Sequence, residues 1–482
     1  MRTEPRLGKS SILFLLVTVL LIGMFGHAGY VQASIETADK SVQTLVLRNA
    51  TVVDVRTGKL AERQTIIVTG SKISYIGSVE PASIPYDAQV RDISGQYVIP
   101  GLWDMHVHLN KYYEHAFPMF LANGVTGIRE MGTAMGNIEV WKKAIQKDMP
   151  APRIITTGAI LTKGRAPHMF YLTSEQEARE AVRLLASAGV DFIKVHTQTP
   201  RDLLPAIFDE AKKYRLPIAG HVPMQVRPIE AIRFGQKSME HLFGLFSATS
   251  SKEDEIMQNP KLSDPMFYFP TEVAAAKHYD PVRAEKLFRE LVQNEVWQVP
   301  TLVTPKNSTK TELDPRAKYV PNALQEEWIR KIRSVAGTIF SETDAELAIR
   351  AGELVQKMNA AGVPLLAGTD SSFGAANSFY GFSLHDELEL FVKNGLTPLQ
   401  ALQTATLNPA RYLDRQHELG TVEEGKLADL VVLEANPLED IRNTTRISAV
   451  ILNGKLMEKQ ELWNAVKTYE VVNPTDVKDE LR

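Results

Sequence analysis

The sequence contains no cysteine. This absence excludes disulfide bonds, a cysteine nucleophile and thiolate–metal sites together, so any metal must be held by histidine, aspartate, glutamate or a less usual ligand. An excess of one charge is also lacking, because 54 basic and 57 acidic residues leave a net charge of −3. The chain has no basic stripe of the kind that binds nucleic acid. It also has no acidic tail of the kind that indicates disorder. We therefore expect a globular protein without a nucleic-acid partner.

A hydrophobic run long enough to span a membrane, about 20 residues, is missing as well. The most apolar stretch covers residues 12–25, follows a basic start and precedes small residues before Ser34. This pattern predicts a secretory signal peptide over 1–33, a secreted, periplasmic or cell-surface protein, and no stable membrane insertion after cleavage. An uncleaved N-terminal anchor is the alternative. No cysteine follows the run, which excludes a bacterial lipoprotein anchor.

Two kinds of pattern divide the remaining chain. A chain of 482 residues predicts one large domain plus a smaller one. Stretches rich in β-branched residues, punctuated by Gly, Asn and Asp, lie near both ends. We predict that 34–97 and 411–465 fold together as a small β-sandwich domain, followed by a C-terminal tail over 466–482.

The middle of the chain, 98–410, alternates short apolar segments with helical patterns. One helix is predicted to begin after Ser174 as N-cap and to end at Gly189. Segment 248–345 carries extra helical material, and 304–322 is predicted as a long loop. The strand candidates are 102–109, 124–131, 153–161, 190–196, 217–222, 237–243, 297–304 and 363–370. Eight strands alternating with helices predict an α/β fold, a (β/α)8 TIM barrel.

Polar side chains that can bind metals fall at or near the ends of five of these strands. In a TIM barrel those ends meet on the rim that carries the active site, so the side chains converge there. Lys194 is the informative member, because a lysine inside "FIKV" is costly to bury unless it is paired, neutralised or modified. The predicted metal-site residues are His106, His108, Lys194, His221, His241 and Asp370.

Four imidazoles and a carboxylate suit zinc, and also iron, nickel, cobalt or manganese. Two metals need a bridge, and a lysine ammonium has no lone pair with which to ligate. If Lys194 is carboxylated by carbon dioxide, it becomes an anion with one oxygen for each metal. We therefore predict two divalent ions, zinc first, with Lys194 carboxylated.

The motifs "WDMHVHL", "DFIKVH", "AGHVP", "SMEHL" and "AGTD" resemble those of the amidohydrolase superfamily. The likeness covers nearly the whole mature chain and is greatest for the binuclear, lysine-bridged branch of imidazolonepropionase-like enzymes and metal-dependent, prolidase-like dipeptidases. The resemblance implies that His106, His108 and Asp370 bind the more buried metal and that His221 and His241 bind the outer one. The carboxylated lysine would bridge the two.

The resemblance also implies hydrolysis of a carbon–nitrogen amide bond by hydroxide held between the metals. Asp370 would act as the catalytic acid–base. A dipeptidase or N-acyl amino acid amidase is predicted, with a small molecule or short peptide as its partner. Arg129 and Glu130 are expected to pair inside the rim. The candidates for substrate contact are Arg165, His168, His196 and Tyr380.

Three alternatives stay open at this stage. The enzyme could hydrolyse a cyclic amide or a lactone, as an imidazolonepropionase-like protein would. A barrel that only binds a ligand is disfavoured by the intact ligand set, and a mononuclear deaminase is disfavoured by Lys194, since one metal needs no bridge. The sequence also leaves the oligomeric state open, a homo-oligomer included.

Overall fold

The computed structural model describes residues 43–477, except 80, 82, 83, 110 and 337. The predicted signal peptide over 1–33 lies outside the described residues, together with 34–42 and the last part of the predicted tail, 478–482. Within the described part of the chain, no helix combines the length and the apolar character that crossing a membrane requires.

The described residues form a mixed α/β structure. Its strands, in chain order, are β1 Thr44–Val53, β2 Leu60–Thr69, β3 Lys72–Gly77, β4 Gln89–Asp92, β5 Tyr97–Pro100, β6 Leu102–Val107, β7 Val125–Glu130, β8 Arg153–Thr156, β9 Ile160–Thr162, β10 Met169–Tyr171, β11 Ile193–Val195, β12 Ile218–Gly220, β13 Gln236–Glu240, β14 Trp297–Val299, β15 Leu430–Leu433, β16 Ile447–Leu452 and β17 Lys455–Glu458. Its helices are α1 Tyr113–Ala122, α2 Met135–Gln146, α3 Glu175–Ser187, α4 Leu204–Lys213, α5 Pro228–Phe234, α6 Leu245–Ala248, α7 Glu253–Met257, α8 Pro265–Ala276, α9 Pro281–Gln293, α10 Val303–Ser308, α11 Asn322–Val335, α12 Ile339–Ala360, α13 Phe382–Lys393, α14 Pro398–Thr404, α15 Leu407–Tyr412 and α16 Lys459–Ala465.

Strands from both ends of the described chain share one sheet. Its order is β17-β16-β15-β5-β1-β2-β3, with β4 paired to β1. The junction is the antiparallel pair of β5 and β15, in which Val98 faces Val432. Alternate residues of these strands point inward and pack into a separate hydrophobic core that includes Leu47, Ile66 and Val432. The β-rich ends therefore fold together, as their composition predicts.

Parallel strands build the central barrel. One sheet has the order β6-β7-β8 and another the order β10-β9-β11-β12-β13-β14. Backbone hydrogen bonds connect their neighbourhoods. Asp191, two residues before β11, donates its N–H to Thr156 O of β8 at 2.9 Å, and Met105 of β6 donates to Ala367 O at 2.8 Å, in the segment that bridges β14 through Leu365. The predicted TIM-barrel-type fold with a separate β domain is confirmed.

The predicted eighth strand, 363–370, is not a regular strand. Its pairing with β14 is an isolated parallel bridge between Gln298 and Leu365, and just beyond the segment a second isolated bridge joins Val107 to Ser371. Asp370 has a φ of 53°, which an extended strand does not allow. The backbone there also passes so close to β6 that a Cβ on Gly368 would lie 2.8 Å from the Cβ of His106. This segment is bent to fit against β6.

The helix predicted after Ser174 is confirmed as α3. The Ser174 hydroxyl accepts a hydrogen bond from Glu177 N, and the Glu177 carboxylate accepts from Ser174 N, which makes a capping box. Ala178, Val182 and Leu185 form the buried face of α3, at helical spacing. Here local sequence and packing agree.

The predictions around β14 are wrong in two respects. The strand predicted over 297–304 ends at Val299, and the loop predicted over 304–322 begins as helix α10. The cause is a distant carboxylate: Glu387 accepts from Leu302 N at 2.9 Å and Val303 N at 2.7 Å, which caps the first turn of α10. A cap supplied from about 85 residues away leaves no trace in the local pattern.

Candidate metal centre and active site

The structure brings the six predicted metal-site residues together on one rim of the barrel. His106 lies in β6 and Lys194 in β11, while His221 and His241 directly follow β12 and β13. Their rings form a continuous row, with centroids 5.4 Å apart for His108 and His106, 4.5 Å for His106 and His241, and 4.9 Å for His241 and His221. Asp370, at the end of the bent segment 363–370, lies next to His106 and His108.

Short distances between lone-pair donors make this cluster fit a metal. Asp370 Oδ1 lies 3.5 Å from His106 Nε2 and 3.4 Å from His108 Nε2. Donor atoms of His106, His241 and Asp370 all lie within 4.8 Å of one another. Groups of neutral imidazoles and one carboxylate at such separations are the ligand sets of zinc and similar ions.

Lys194 is the least compensated charge in the cluster. It is 1% exposed, and its Nζ lies 3.4 Å from His106 Nε2. Among the described residues, no carboxylate oxygen lies within 4.0 Å of this nitrogen. Burial lowers the pKa of Lys194 to about 8, although Asp370, Glu240 and Glu130 act in the opposite direction. Burial therefore disfavours the charged, unmodified ammonium at this position, as the sequence predicts.

The electrostatics of the cluster favour metal-binding forms. Burial and then the charge of Lys194 hold the pKa values of His106, His108 and His241 well below 6.5, so these imidazoles are neutral. Neutral imidazole is the form that binds metals. Burial raises the pKa of Asp370 to about 6, opposed by Lys194, so at neutral pH it is mainly a carboxylate.

Hydrogen bonds behind the cluster orient its imidazoles. His106 Nδ1 donates to Glu240 Oε2 at 2.8 Å, and His108 Nδ1 donates to Gly132 O at 3.1 Å. With the proton on Nδ1, Nε2 of each ring is left with its lone pair towards the cluster. His241 Nδ1 lies 2.7 Å from Thr301 Oγ1. Such outer partners fix the tautomer and ring orientation of metal-binding histidines.

The expected pair of Arg129 and Glu130 is wrong. Arg129 donates to both oxygens of Glu240, at 2.8 and 2.9 Å, and the side chains of Arg129, Glu240 and Glu130 are all fully buried. Glu130 instead accepts from Thr156 Oγ1 at 2.8 Å and from Gly132 N at 2.9 Å. Glu240, which sequence reasoning missed, thus joins the Arg129 charge to His106. Its signal was a glutamate inside the apolar strand "SMEHL", comparable to the lysine in "FIKV".

Two cluster residues hold a backbone conformation that non-glycine residues rarely adopt. The φ angles are 61° at His241 and 53° at Asp370, and Thr301, the partner of His241, has 50°. Conformations of this kind cost of order 1–3 kcal/mol each and concentrate at functional sites. These bends at the strand ends turn the side chains towards the shared centre.

Five members of the cluster, all except the fully buried His106, line the floor of a cavity of about 1030 Å³. Phe243 covers one side, with its ring centroid 5.0 Å from that of His221 and 4.9 Å from that of His241. Phe269, at 5.2 Å from Phe243, extends the apolar wall. A volume of this size admits a dipeptide or a molecule of similar size.

The four predicted substrate contacts divide into two groups. His168 and His196 line the cavity, and burial is the main cause that lowers the pKa of each, to about 3 for His196. Tyr380 is 1% exposed and its hydroxyl donates to His108 O at 2.9 Å, so it supports the cluster from behind. Arg165 is exposed, lies outside the cavity lining and rests on the Tyr171 ring at 4.0 Å. Contact with substrate stays a prediction for all four residues, of which the two lining histidines are the better placed.

Comparison with known proteins gives a consistent result. Residues 97–457 match the model of the amidohydrolase family. An ochratoxinase from Aspergillus niger is 23% identical over 455 residues, which cover 80% of this chain and 80% of that protein. The crystal structure of A. niger ochratoxinase matches with a TM-score of 0.61 at 19% identity, covering 92% of this chain and all of that one.

Two other solved structures share the fold. A Bifidobacterium longum protein assigned as a prolidase is 25% identical, with a TM-score of 0.64, over 86% of this chain and 95% of that one. A Xaa-Pro dipeptidase with methionine bound in its active site is 22% identical, with a TM-score of 0.63, over 86% of this chain and all of that one.

The family match covers well over half of the sequence, so this chain belongs to the amidohydrolase family. It is an enzyme that hydrolyses carbon–nitrogen bonds. The resemblance to this superfamily and to its prolidase-like branch, predicted from five short motifs, is confirmed.

Proposed function

We propose that this protein is a dinuclear metal-dependent amidase that cleaves dipeptides or N-acyl amino acids. The observation that carries the proposal is the convergence of six metal-binding side chains at one cavity. His108, His221, His241, Lys194 and Asp370 line its floor, and the buried His106 lies next to Lys194. Donor atoms of His106, His241 and Asp370 lie within 4.8 Å of one another. A single metal would leave part of this ligand set unused.

The residues divide naturally between two ions. His106, His108 and Asp370 would hold the inner ion, and His221 and His241 the outer ion. Carboxylation would turn Lys194 from a poorly compensated cation into an anion able to span both. Zinc is the ion we propose. When bound, such ions polarise a carbonyl and make water acidic enough to react at neutral pH.

The side chains of the chain itself supply proton transfer and water exclusion. Asp370 is ionised at neutral pH, because its pKa is about 6, so it can accept a proton from the attacking water. It can then return that proton to the leaving nitrogen. Its Oδ1 lies within 3.5 Å of two imidazole nitrogens, which fixes its position at the floor. Phe243 packs over His221 and His241 and keeps water from that side.

The choice of amide substrates rests on the cavity and on the relatives. The cavity is wide enough for a dipeptide, and His168 and His196 offer N–H groups to a substrate carboxylate or carbonyl. Two solved relatives bear the names of a Xaa-Pro dipeptidase and an ochratoxinase, names that concern those proteins alone. They support amide hydrolysis here without naming the substrate side chains.

A hydrolysis screen tests this proposal. The zinc-loaded protein would be incubated with a library of dipeptides, N-acyl amino acids, cyclic amides and lactones, with metal content measured by mass spectrometry. We expect about two ions per chain and turnover of dipeptides or N-acyl amino acids. Turnover confined to cyclic amides or lactones would replace the proposed substrate class, and one ion per chain would overturn the dinuclear centre.

We also propose that the protein is exported. The support is sequence alone: a basic start, the apolar run over 12–25 and small residues before Ser34. Expression of the full chain in a bacterial host, followed by fractionation and N-terminal sequencing, tests this. A mature protein that begins at Ser34 outside the cytoplasm is expected, whereas an intact cytoplasmic chain would contradict it.

A further inference from the structure

One wall of the cavity carries a second carboxylate, away from the metal cluster. Asp344 lies in the first part of α12 and lines the cavity with Leu347 and Ala351. These three residues are spaced three and four positions apart, so they share one face of the helix. Asp344 thus places a single acidic group on a helix face that is otherwise apolar.

Asp344 has little to compensate its charge. In the part of the chain that the structure describes, no basic nitrogen lies within 4.0 Å of its carboxylate. Burial raises the pKa of Asp344, opposed by a hydrogen bond from the Ser308 hydroxyl. Ser308 Oγ also lies 3.2 Å from Thr304 O, and its single proton can be donated to only one of the two acceptors at a time.

Two other acidic residues on the same helix are paired. Glu346 and Glu353 both contact Arg350, at 2.9 and 3.1 Å. The carboxylate of Asp314, close to the end of α10, contacts both Lys310 and Arg316. Asp344 differs from these three in being a half-buried carboxylate without a cation, and it lies on the cavity face of α12. Such a group is stabilised when a charged donor reaches it.

Helix α10 gives a scale for the distance between the reacting centre and Ser308, the neighbour of Asp344. Near its start, Thr304 Oγ1 donates to Thr369 O, next to Asp370, at 3.1 Å. Ser308 follows one turn later, about 6 Å further along the axis at about 1.5 Å per residue. A lysine or arginine side chain covers such a distance, since it carries its charge on a stem of three or four carbons.

We propose that Asp344 forms a subsite for a cationic group of the substrate, an ammonium or guanidinium one side-chain length from the scissile amide. This subsite rests on the proposed amide hydrolysis and would determine which substrates that reaction prefers. Ser308 is the local partner that the incoming cation displaces or shares. Substrates with a basic side chain next to the scissile bond are then preferred over neutral substrates of the same shape.

Matched substrates test the subsite in the zinc-loaded enzyme. N-acetyl-lysine is compared with N-acetyl-norleucine, and Lys-Ala with norleucyl-Ala, because norleucine keeps the stem and lacks the ammonium. We expect kcat/KM to be about tenfold higher for the lysine member of at least one pair. Asp344→Asn should remove that preference, mainly through KM, and leave norleucine substrates within about twofold.

Two further measurements keep the test decisive. Glu346→Gln, on the same helix and outside the cavity lining, should leave the lysine preference unchanged. Calorimetric binding of L-lysine and L-norleucine needs no turnover, so it separates the subsite from the proposed reaction. Equal binding of both amino acids to the wild type, or a preference that survives in Asp344→Asn, would overturn the subsite. Absence of amide turnover with an intact binding preference would overturn the reaction only.

Discussion

At the scale of single residues, the most informative side chain is a lysine in a place where lysines are rare. Lys194 is buried beside His106, with its Nζ 3.4 Å from an imidazole nitrogen and, among the described residues, more than 4.0 Å from any carboxylate oxygen. Sequence reasoning found it because an ammonium within an apolar strand needs an explanation. The same reasoning, applied to Glu240, would have found the outer support of the cluster.

Replacement of Lys194 by alanine should abolish amide hydrolysis and lower bound metal to one ion or fewer per chain. The physical reason is that the proposed bridge between two cations is lost. The loss of metal is measured by mass spectrometry, and the loss of activity is measured as kcat on the best substrate. Lys237→Ala is the matched control. Lys237 lies at the start of β13, outside the cavity lining, and contacts Asp414 at 2.9 Å. A Lys194→Ala variant with two ions and full turnover would contradict the bridge.

The buried pair of Arg129 and Glu240 should dominate local stability. Arg129→Ala leaves a buried carboxylate without its cation, and such changes cost about 3–5 kcal/mol. The free energy of unfolding, measured in urea, checks this. Arg289→Ala, which breaks an exposed pair with Glu285, should cost less than about 1 kcal/mol. Similar losses in both variants would show that the pair contributes little.

This pair also shows where prediction from sequence stopped at the residue scale. The residue types were visible, yet Arg129 was expected to pair with its neighbour Glu130. Its partner, Glu240, is 111 positions away. Which buried carboxylate meets which buried cation depends on how β7 and β13 face each other across the barrel, and periodicity carries no such information.

At the scale of elements, the site depends on strands that approach each other very closely. In the parallel pair of β11 and β12, Val195 faces Gly220. A Cβ on Gly220 would lie 2.1 Å from Val195 O and 3.0 Å from Lys194 Cγ. The absence of a side chain there lets β12 bring His221 towards Lys194.

Gly220→Ala should therefore displace β12 and weaken both stability and metal binding. Gly235→Ala is the control, because both glycines have positive φ angles, 124° and 97°, and only Gly220 has close neighbours. Backbone strain is thus common to the two variants, while the clash should cost Gly220→Ala roughly 1–3 kcal/mol more. Urea unfolding and metal content would be compared. Equal losses would mean that the close approach is unimportant.

Elements with strong local patterns were predictable, and elements shaped by distant contacts were not. Helix α3 has its own cap and its own apolar face, and it was predicted with its N-cap residue. Helix α10 is capped by Glu387, and the bent segment 363–370 is shaped by its contact with β6. In both cases the decisive contact joins positions far apart in the chain.

At the scale of the whole molecule, one buried histidine links barrel helices to the terminal part of the chain. His385 lies in α13, with its Nε2 3.0 Å from Asn123 O and its Nδ1 2.9 Å from Thr444 Oγ1. Burial lowers its pKa to about 4. The neutral ring thus connects the end of α1 with the segment between β15 and β16.

Acid should weaken this connection. Between pH 6.5 and about 4 the unfolded chain binds a proton at position 385 that the folded chain does not, so stability falls as pH falls, by roughly 1.4 kcal/mol per pH unit. Urea unfolding of the metal-free protein at pH 6.5 and 5 measures it. His385→Gln should show a shallower pH dependence than the wild type. An unchanged slope in His385→Gln would contradict the assignment.

The pairing of β5 with β15 has a consequence for how the polypeptide is made. Pro100 meets Leu430, about 330 positions later. A nascent chain that has left the ribosome only as far as the barrel still exposes the edge of β5 to chaperones, proteases and other copies. Synthesis of β15 to β17 therefore completes the sheet, and a product truncated before β15 should be degraded instead of accumulating as a free barrel.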